Sequence, residues 1–215
     1  MASKTFMNIP KEKQDRVLRA AQIEFATHGY NKANINDICE RADISNGALY
    51  KYFKNKAELY QAVIKRQVEG KEEYMQGVRG AGISCIEKIR MLMRNTQTEV
   101  EARNDTFRIL LQLGTSDMNS FARKVTRRTE STSYENIHAI LVEGIDRGEI
   151  RSDIDLDMTA FLINNLCFAL YSGFVSEYHQ IRLEEFFHIP FSGDDISQER
   201  LVDRMMEWVT NYLAP

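Results

Sequence analysis

A chain of 215 residues with 43% hydrophobic and 27% charged residues carries enough apolar material for a buried core, which excludes a disordered chain. The formal net charge of −3 conceals a split: residues 1–66 hold 12 Lys and Arg against 7 Asp and Glu, and the remainder holds 16 against 24. A basic head on an acidic body suits a nucleic-acid reader, and the three cysteines, at 39, 85 and 167, lack the paired spacing of a disulfide framework or a zinc site.

Proline occurs only at 10, 190 and 215, and the apolar residues between follow the helical period, so the spacing predicts an all-α protein. The N-terminal Met-Ala-Ser-Lys-Thr-Phe-Met lacks an apolar signal region. The longest apolar stretch, Ala160 to Val175, is interrupted by Asn164 and Asn165, so a soluble, cytoplasmic protein with no membrane partner is expected. Pro10 suits the first turn of a helix reaching about His28, with Val17, Leu18, Ala21 and Phe25 inward and Gly29 as its stop.

The stretch Asn34 to Lys56 reads as a helix-turn-helix. Asn34 is the N-cap of a short helix with Ile35 and Ile38 on one face, and Cys39 stands where the two helices cross, a position that needs a small side chain. Ala42-Asp43-Ile44 forms the turn, with Asp43 in the left-handed conformation. Ser45 caps a second helix whose exposed side carries Asn46, Gly47, Ala48, Tyr50, Lys51 and Tyr52. Small residues at its N-terminal end allow close approach to a major groove, and amide, hydroxyl and aromatic groups reach bases or phosphates. Tyr52 is divided between packing and phosphate contact. Asn55, with Glu58 three residues on, opens the next helix and puts Lys56 in its first turn, where the helix dipole favours a nearby anion such as a DNA phosphate.

Residues 11–66, about a quarter of the chain, resemble the DNA-binding region of the tetracycline-repressor (TetR) family of bacterial regulators. The matching residues are Val17-Leu18, Ala20-Ala21, Phe25, Gly29-Tyr30, Asp37-Ile38, Ala42, Ile44-Ser45, Gly47, Leu49-Tyr50, Tyr52-Phe53, Lys56 and Leu59. The chain departs from the family at Asn34 (usually Thr), Cys39 (Ala) and Asp43 (Gly). The resemblance implies a dimeric, sequence-specific DNA-binding regulator, a repressor released by a small effector, with no enzymatic activity and no cofactor. Its partner is a near-palindromic double-stranded operator, with DNA contacts at Asn34, Asn36, Ser45, Asn46, Gly47, Ala48, Tyr50, Lys51, Tyr52 and Lys56.

The expected division is a helix-turn-helix domain at 1–54, a connecting helix at 55–75 ending about Tyr74, and a regulatory and dimerisation domain at 76–215 after Gly77, Gly80 and Gly82. Inward stripes follow at Ile83, Ile86, Ile89, Met93 and Val100, at Phe107, Leu110, Leu111 and Leu113, and, between about Met118 and Gly148, at Phe121, Val125, Tyr134, Ile137, Leu141 and Ile145. Ala160 to Tyr178, read as one helix, is apolar on three neighbouring stripes, which predicts burial against the chain's own core on one flank and a second copy on the other. Leu162, Leu166, Ala169, Gly173 and Ser176 are expected at that interface. After a loop from Ile181 to Ile196, a last helix adds Leu201, Met205, Trp208 and Tyr212. Met93, Phe107, Tyr134, Phe168 and Tyr171, with Asn165 and His138 as polar handles, are candidate ligand contacts for an apolar or aromatic effector. The Asn165 amide requires a partner, whether a ligand, the other subunit or a backbone carbonyl. A regulator acting without a small-molecule ligand is one alternative. Another is a carboxylate-bridged di-metal enzyme using Glu135/His138 and Glu185/His188, with Glu99 or Glu101 as a further ligand.

Overall fold

The computed structural model describes residues 3–94, 100–115, 120–191 and 195–215, without the side chains of 100–103, 114, 115, 195 and 196. All regular structure among them is helical: α1 (Lys4–Met7), α2 (Lys11–Lys32), α3 (Ile35–Ala42), α4 (Asn46–Tyr52), α5 (Lys56–Gly80), α6 (Cys85–Arg94), α7 (Val100–Thr115), α8 (Ser120–Asp146), α9 (Leu156–Gly173), α10 (Glu177–Phe187) and α11 (Asp195–Leu213). Met118, the expected start of the segment that runs to Gly148, and the side chain of Val100, expected inward, lie outside the described residues and side chains.

The chain forms two compact units. The first holds the described residues up to Gly70 together with α7, and the second holds those from Lys71 together with α6 and α8–α11. This differs from the expected boundaries at 54/55 and 75/76, because α7 is pinned to α2. Arg19 pairs with Asp105 at 2.8 Å, Gln22 Nε2 donates to Thr106 Oγ1 at 3.0 Å and Gln112 Nε2 donates to the Ala26 carbonyl at 3.1 Å. Ile109 and Leu113 are buried beneath these contacts. Helical period identifies α7 as a helix but does not say which helix it packs against.

In the first unit Val17, Ala21 and Phe25 are fully buried, and Phe25 meets the Tyr60 ring edge-on at 4.8 Å. Gly29 (φ 71°, ψ 167°) breaks α2 where a stop was expected. The α3–α4 turn passes through Asp43 in the left-handed region (φ 52°, ψ 55°), with its N–H donating to the Cys39 and Glu40 carbonyls. A β-carbon at such a backbone costs energy that glycine avoids. Asp43→Gly is therefore expected to raise the unfolding free energy by about 1 kcal/mol in urea titrations; a loss of stability would contradict this account of the turn.

The second unit is centred on Met93, Ile137, Ile140, Leu141, Ile163, Leu170, Leu201, Met206 and Val209. Lys88, 1% exposed, is satisfied there by the Glu143 carboxylate at 2.7 Å and the Arg79 carbonyl at 2.8 Å. α5 runs six residues past Tyr74 because Met75 and Val78 are still buried. α9 stops at Gly173 rather than Tyr178, and α10 occupies much of the expected loop; Leu183 on α10 and Phe191 beyond it close the core. The three cysteines are free and buried. Burial pushes the Cys39 thiol up from its ordinary value, that of Cys85 up to about 11 and that of Cys167 up to about 12, so none is a reactive thiolate at neutral pH. No single helix among the described residues is long and apolar enough to cross a membrane.

Candidate nucleic-acid interface

The reading pair α3–α4 is built by caps at each end. The Asn34 side chain accepts from the Asn36 N–H at 2.9 Å and donates to Asp37 at 2.9 Å, while Ser45 Oγ accepts from the Ala48 N–H at 3.2 Å. Two residues that the helical pattern does not single out hold this pair to α2. The buried Glu24 carboxylate accepts from the Asn34 N–H at 2.9 Å, fixing the start of α3, and Arg16 Nε donates to the Ala42 carbonyl at 2.8 Å, fixing its end. Glu24 lies three residues after Ala21 and seven after Val17, so a charged residue on an apolar stripe was the available signal.

Leu49 at 2% exposure anchors α4 from behind, and the opposite face is open: Asn46, Gly47, Tyr50 and Lys51 are exposed and Ala48 half-exposed. Tyr50 stands out at 54% exposure. Asn46 Nδ2 donates to Asn36 Oδ1 at 2.6 Å, so amides from both helices form one exposed polar set. Amides of this kind can pair with adenine N6/N7 edges in a major groove, and the exposed Tyr50 and Lys51 lie on the same helix. The cap oxygens of Asn34 and Ser45 are engaged by backbone N–H groups, so both residues shape the pair.

Two expected contacts are placed differently. Tyr52 is only 6% exposed, its ring set against Phe6 at 5.5 Å, so packing takes it and it offers no open phosphate contact. Lys56 donates to the Ala33 carbonyl at 2.7 Å and to Asn31 O at 3.1 Å, with its ammonium 5.2 Å from the Tyr30 ring centre. The carbonyls at the end of α2 thus supply the negative partner that the dipole argument sought in DNA. A lysine has three N–H donors, and these carbonyls account for two. Lys56→Ala is expected to lower the melting temperature as well as to weaken binding to all DNA sequences alike, reducing the salt slope by about one unit. An unchanged melting temperature would remove the structural half of this assignment.

The candidate ligand residues are divided among core and surface positions. Met93 is fully buried in the second unit, Phe107 belongs to the first, and Tyr134 (46% exposed), Phe168 (45%) and Asn165 lie on the surface. Tyr134 donates to Asp157 at 2.8 Å with half-buried His138 beside its ring, the Tyr171 hydroxyl donates to the Leu92 carbonyl, and the Asn165 amide donates to the Phe161 carbonyl of its own helix at 2.8 Å. The backbone carbonyl, one of the three partners open to Asn165, thus takes one of its amide N–H groups. Two surface concavities, of 430 Å³ beside Trp208 and 560 Å³ beside Arg151, are lined by none of these residues.

The dimer candidates divide in the same way. Gly173, Leu201 and Met205 are core positions of the second unit, not interface positions, because α9 and α11 turn those faces inward. Leu166, Ala169 and Tyr212 are partly buried against that core, Ser176 precedes α10 and contacts His179, and Leu162 and Trp208 are exposed. Exposed Met158, Phe161 and Phe168 extend the apolar face of α9 beyond the expected set. The di-metal alternative is not supported: no group of three His, Cys, Asp or Glu that could hold a metal exists among the described residues. Glu135 bonds Ser131, Glu185 is exposed, and His188 caps α10 in a left-handed conformation. Glu99 and the Glu101 side chain lie outside the described residues and side chains.

Comparison with known proteins bears on the same region. The family model "Bacterial regulatory proteins, tetR family" matches residues 17–63. The transcriptional repressor KstR2 of Mycolicibacterium smegmatis is 27% identical over 151 residues, 69% of this chain and 73% of that protein. A TetR family transcriptional regulator from Chloroflexus aurantiacus superposes with a TM-score of 0.66 at 22% identity, covering 100% of this chain and 99% of the other. FadR of Bacillus subtilis, solved with stearoyl-CoA, superposes with a TM-score of 0.66 at 18% identity, covering 92% and 98%.

Proposed function

We propose, given that this chain belongs to the tetracycline-repressor (TetR) family of bacterial regulatory proteins and is a DNA-binding transcriptional regulator, that it acts in the cytoplasm as a homodimeric repressor released by a small effector. The observation that carries the DNA reading is α4 itself. It is anchored by Leu49 and Tyr52 on one side and open from Asn46 to Lys51 on the other, with its leading amide joined to Asn36 of α3. Two such heads on a two-fold axis read two half-sites of a near-palindrome. What supports the dimer is the apolar face of Met158, Phe161, Leu162 and Phe168 on α9 together with Trp208 on α11, left open in the single chain. Selection from a randomised duplex library should return a near-palindrome. Enrichment of an unrepeated single site, or of none, would count against this reading.

For the effector, what supports a site in the second unit is a polar set within its interior rather than the scattered aromatics. The Lys71 ammonium donates to Ser133 Oγ at 2.8 Å, and the buried Thr129 hydroxyl and Asn136 Oδ1 nearby along α8 have no hydrogen-bond partner. Burial pulls the Lys71 ammonium below the usual lysine value, with Glu130 opposing the shift. Lys71 is also the first residue of the second unit on α5, the helix that carries Leu59, Val63 and Ile64 of the first. An apolar effector with a carboxylate or carbonyl head, met by Lys71, acts directly on a helix that both units share. The protein related in fold that was solved with stearoyl-CoA points to acyl compounds as the first probes. A folded-state lysine pKa below the unfolded value penalises the fold at every pH below it, and the penalty lifts as pH rises toward the unfolded value. Lys71→Met is therefore expected to raise the melting temperature at pH 7. It should also abolish the shift given by an acyl effector, which at a hundred times its Kd stabilises the wild type by about 2.7 kcal/mol. A full shift in the Lys71→Met variant would place the effector elsewhere.

A further inference from the structure

The recognition helix has only seven residues, and a helix that short has little stability of its own, so its pose depends on what holds its two ends. The leading end is held by Ser45 and by the Asn46–Asn36 bond. The trailing end is held by a segment outside the family match at 17–63. Its last carbonyls need donors from beyond the helix. Phe53 N–H takes that of Leu49 at 2.9 Å, Ser3 Oγ–H donates to the Lys51 carbonyl at 2.8 Å, and Ser3 N–H donates to the Tyr52 carbonyl at 2.9 Å. The same Ser3 Oγ accepts from the Phe6 N–H at 3.2 Å, so one residue caps the start of α1 and the end of α4. Phe6, 3% exposed, then sets its ring against Tyr52 at 5.5 Å and Phe53 at 4.7 Å, burying both aromatics that end the helix.

We propose that Ser3 and Phe6 are positioning residues for sequence reading: they clasp the trailing end of α4 and fix the pose in which Asn46 and Tyr50 meet base edges. The inference rests on the DNA-reading function above. Neither residue is placed to touch DNA with its functional group, because the Ser3 hydroxyl is engaged twice within the protein and the Phe6 ring is buried. Loss of the clasp therefore alters discrimination between sequences and leaves the number of neutralised phosphates unchanged.

The test uses the full chain and a duplex enriched by the wild type from a randomised library, compared with a scrambled duplex across a salt titration. Ser3→Ala should lower the ratio of selected to scrambled affinity by roughly three- to tenfold, with the salt slope unchanged. Ser3→Thr, which keeps the hydroxyl donor, should restore the ratio. Phe6→Ala should lower it further, and Phe6→Leu, which retains most of the apolar volume, provides a milder variant that keeps the head folded. A lower melting temperature with an unchanged ratio would assign the clasp to stability alone and overturn the proposal. A salt slope reduced by about one unit would mean a direct phosphate contact and overturn it equally. Failure of the wild type to enrich any duplex would overturn the DNA reading and the clasp with it, whereas normal enrichment with unaffected variants overturns the clasp alone.

Discussion

Replacing Tyr50 by Ala is expected to weaken binding to the selected duplex by about 1–3 kcal/mol, roughly 5- to 150-fold, and to relax base preference at one position of each half-site, with the helical fold unchanged. The side chain is 54% exposed at the centre of the open face of α4, while the residue before it, Leu49, is 2% exposed and anchors the helix. Truncation at Tyr50 thus removes the proposed contact to DNA without opening a cavity. Circular dichroism and titrations against selected and scrambled duplexes separate the two effects. An intact fold with unchanged discrimination would remove Tyr50 from the reading face.

The largest loss of stability is expected from Gly173→Arg. A β-carbon at this position would lie 2.6 Å from Leu183 Cδ1 and 3.2 Å from the Phe191 ring, two buried side chains of the second unit. An arginine there adds overpacking and an unpaired buried charge, together costing about 3 kcal/mol or more. Urea unfolding should show the second unit destabilised or unfolded, so any loss of dimer would follow from loss of the fold. Phe161→Arg is the informative contrast. Phe161 is 61% exposed on α9, and a charge there should yield a folded monomer by light scattering, with near-normal circular dichroism and weakened operator binding. A dimeric Phe161→Arg protein would move the interface away from this face of α9.

What was legible in the sequence was local. The caps Asn34 and Ser45 and the left-handed turn at Asp43 depend on residues a few positions apart and are present as read, and Gly29 breaks α2 as expected, although helix resumes beyond it to Lys32. What escaped depends on long-range partners. Lys56 faces carbonyls 25 and 23 residues earlier, Ser3 caps a carbonyl 48 residues later, and α7 joins α2 across 86 residues at Arg19 and Asp105. The body misled for a different reason. A helix apolar on three stripes gives no sign of which stripe faces its own core, so Gly173, small enough for an interface, was equally suited to the close approach of Leu183. Helical period likewise fixes a face within one helix and not the alignment between helices, so the candidate ligand contacts are divided among core and surface positions.

The central claim is that α4 reads base edges in the major groove, and chemical interference on the selected duplex tests it most directly. Purine N7 methylation probes the major groove and adenine N3 methylation the minor. Binding of the proposed dimer should be blocked by N7 modification in two clusters a whole number of helical turns apart, with Tyr50→Ala erasing sensitivity at one position in each cluster. Interference confined to the minor groove, or N7 clusters indifferent to Tyr50 and Asn46 substitutions, would contradict the assignment of α4 as the reading helix.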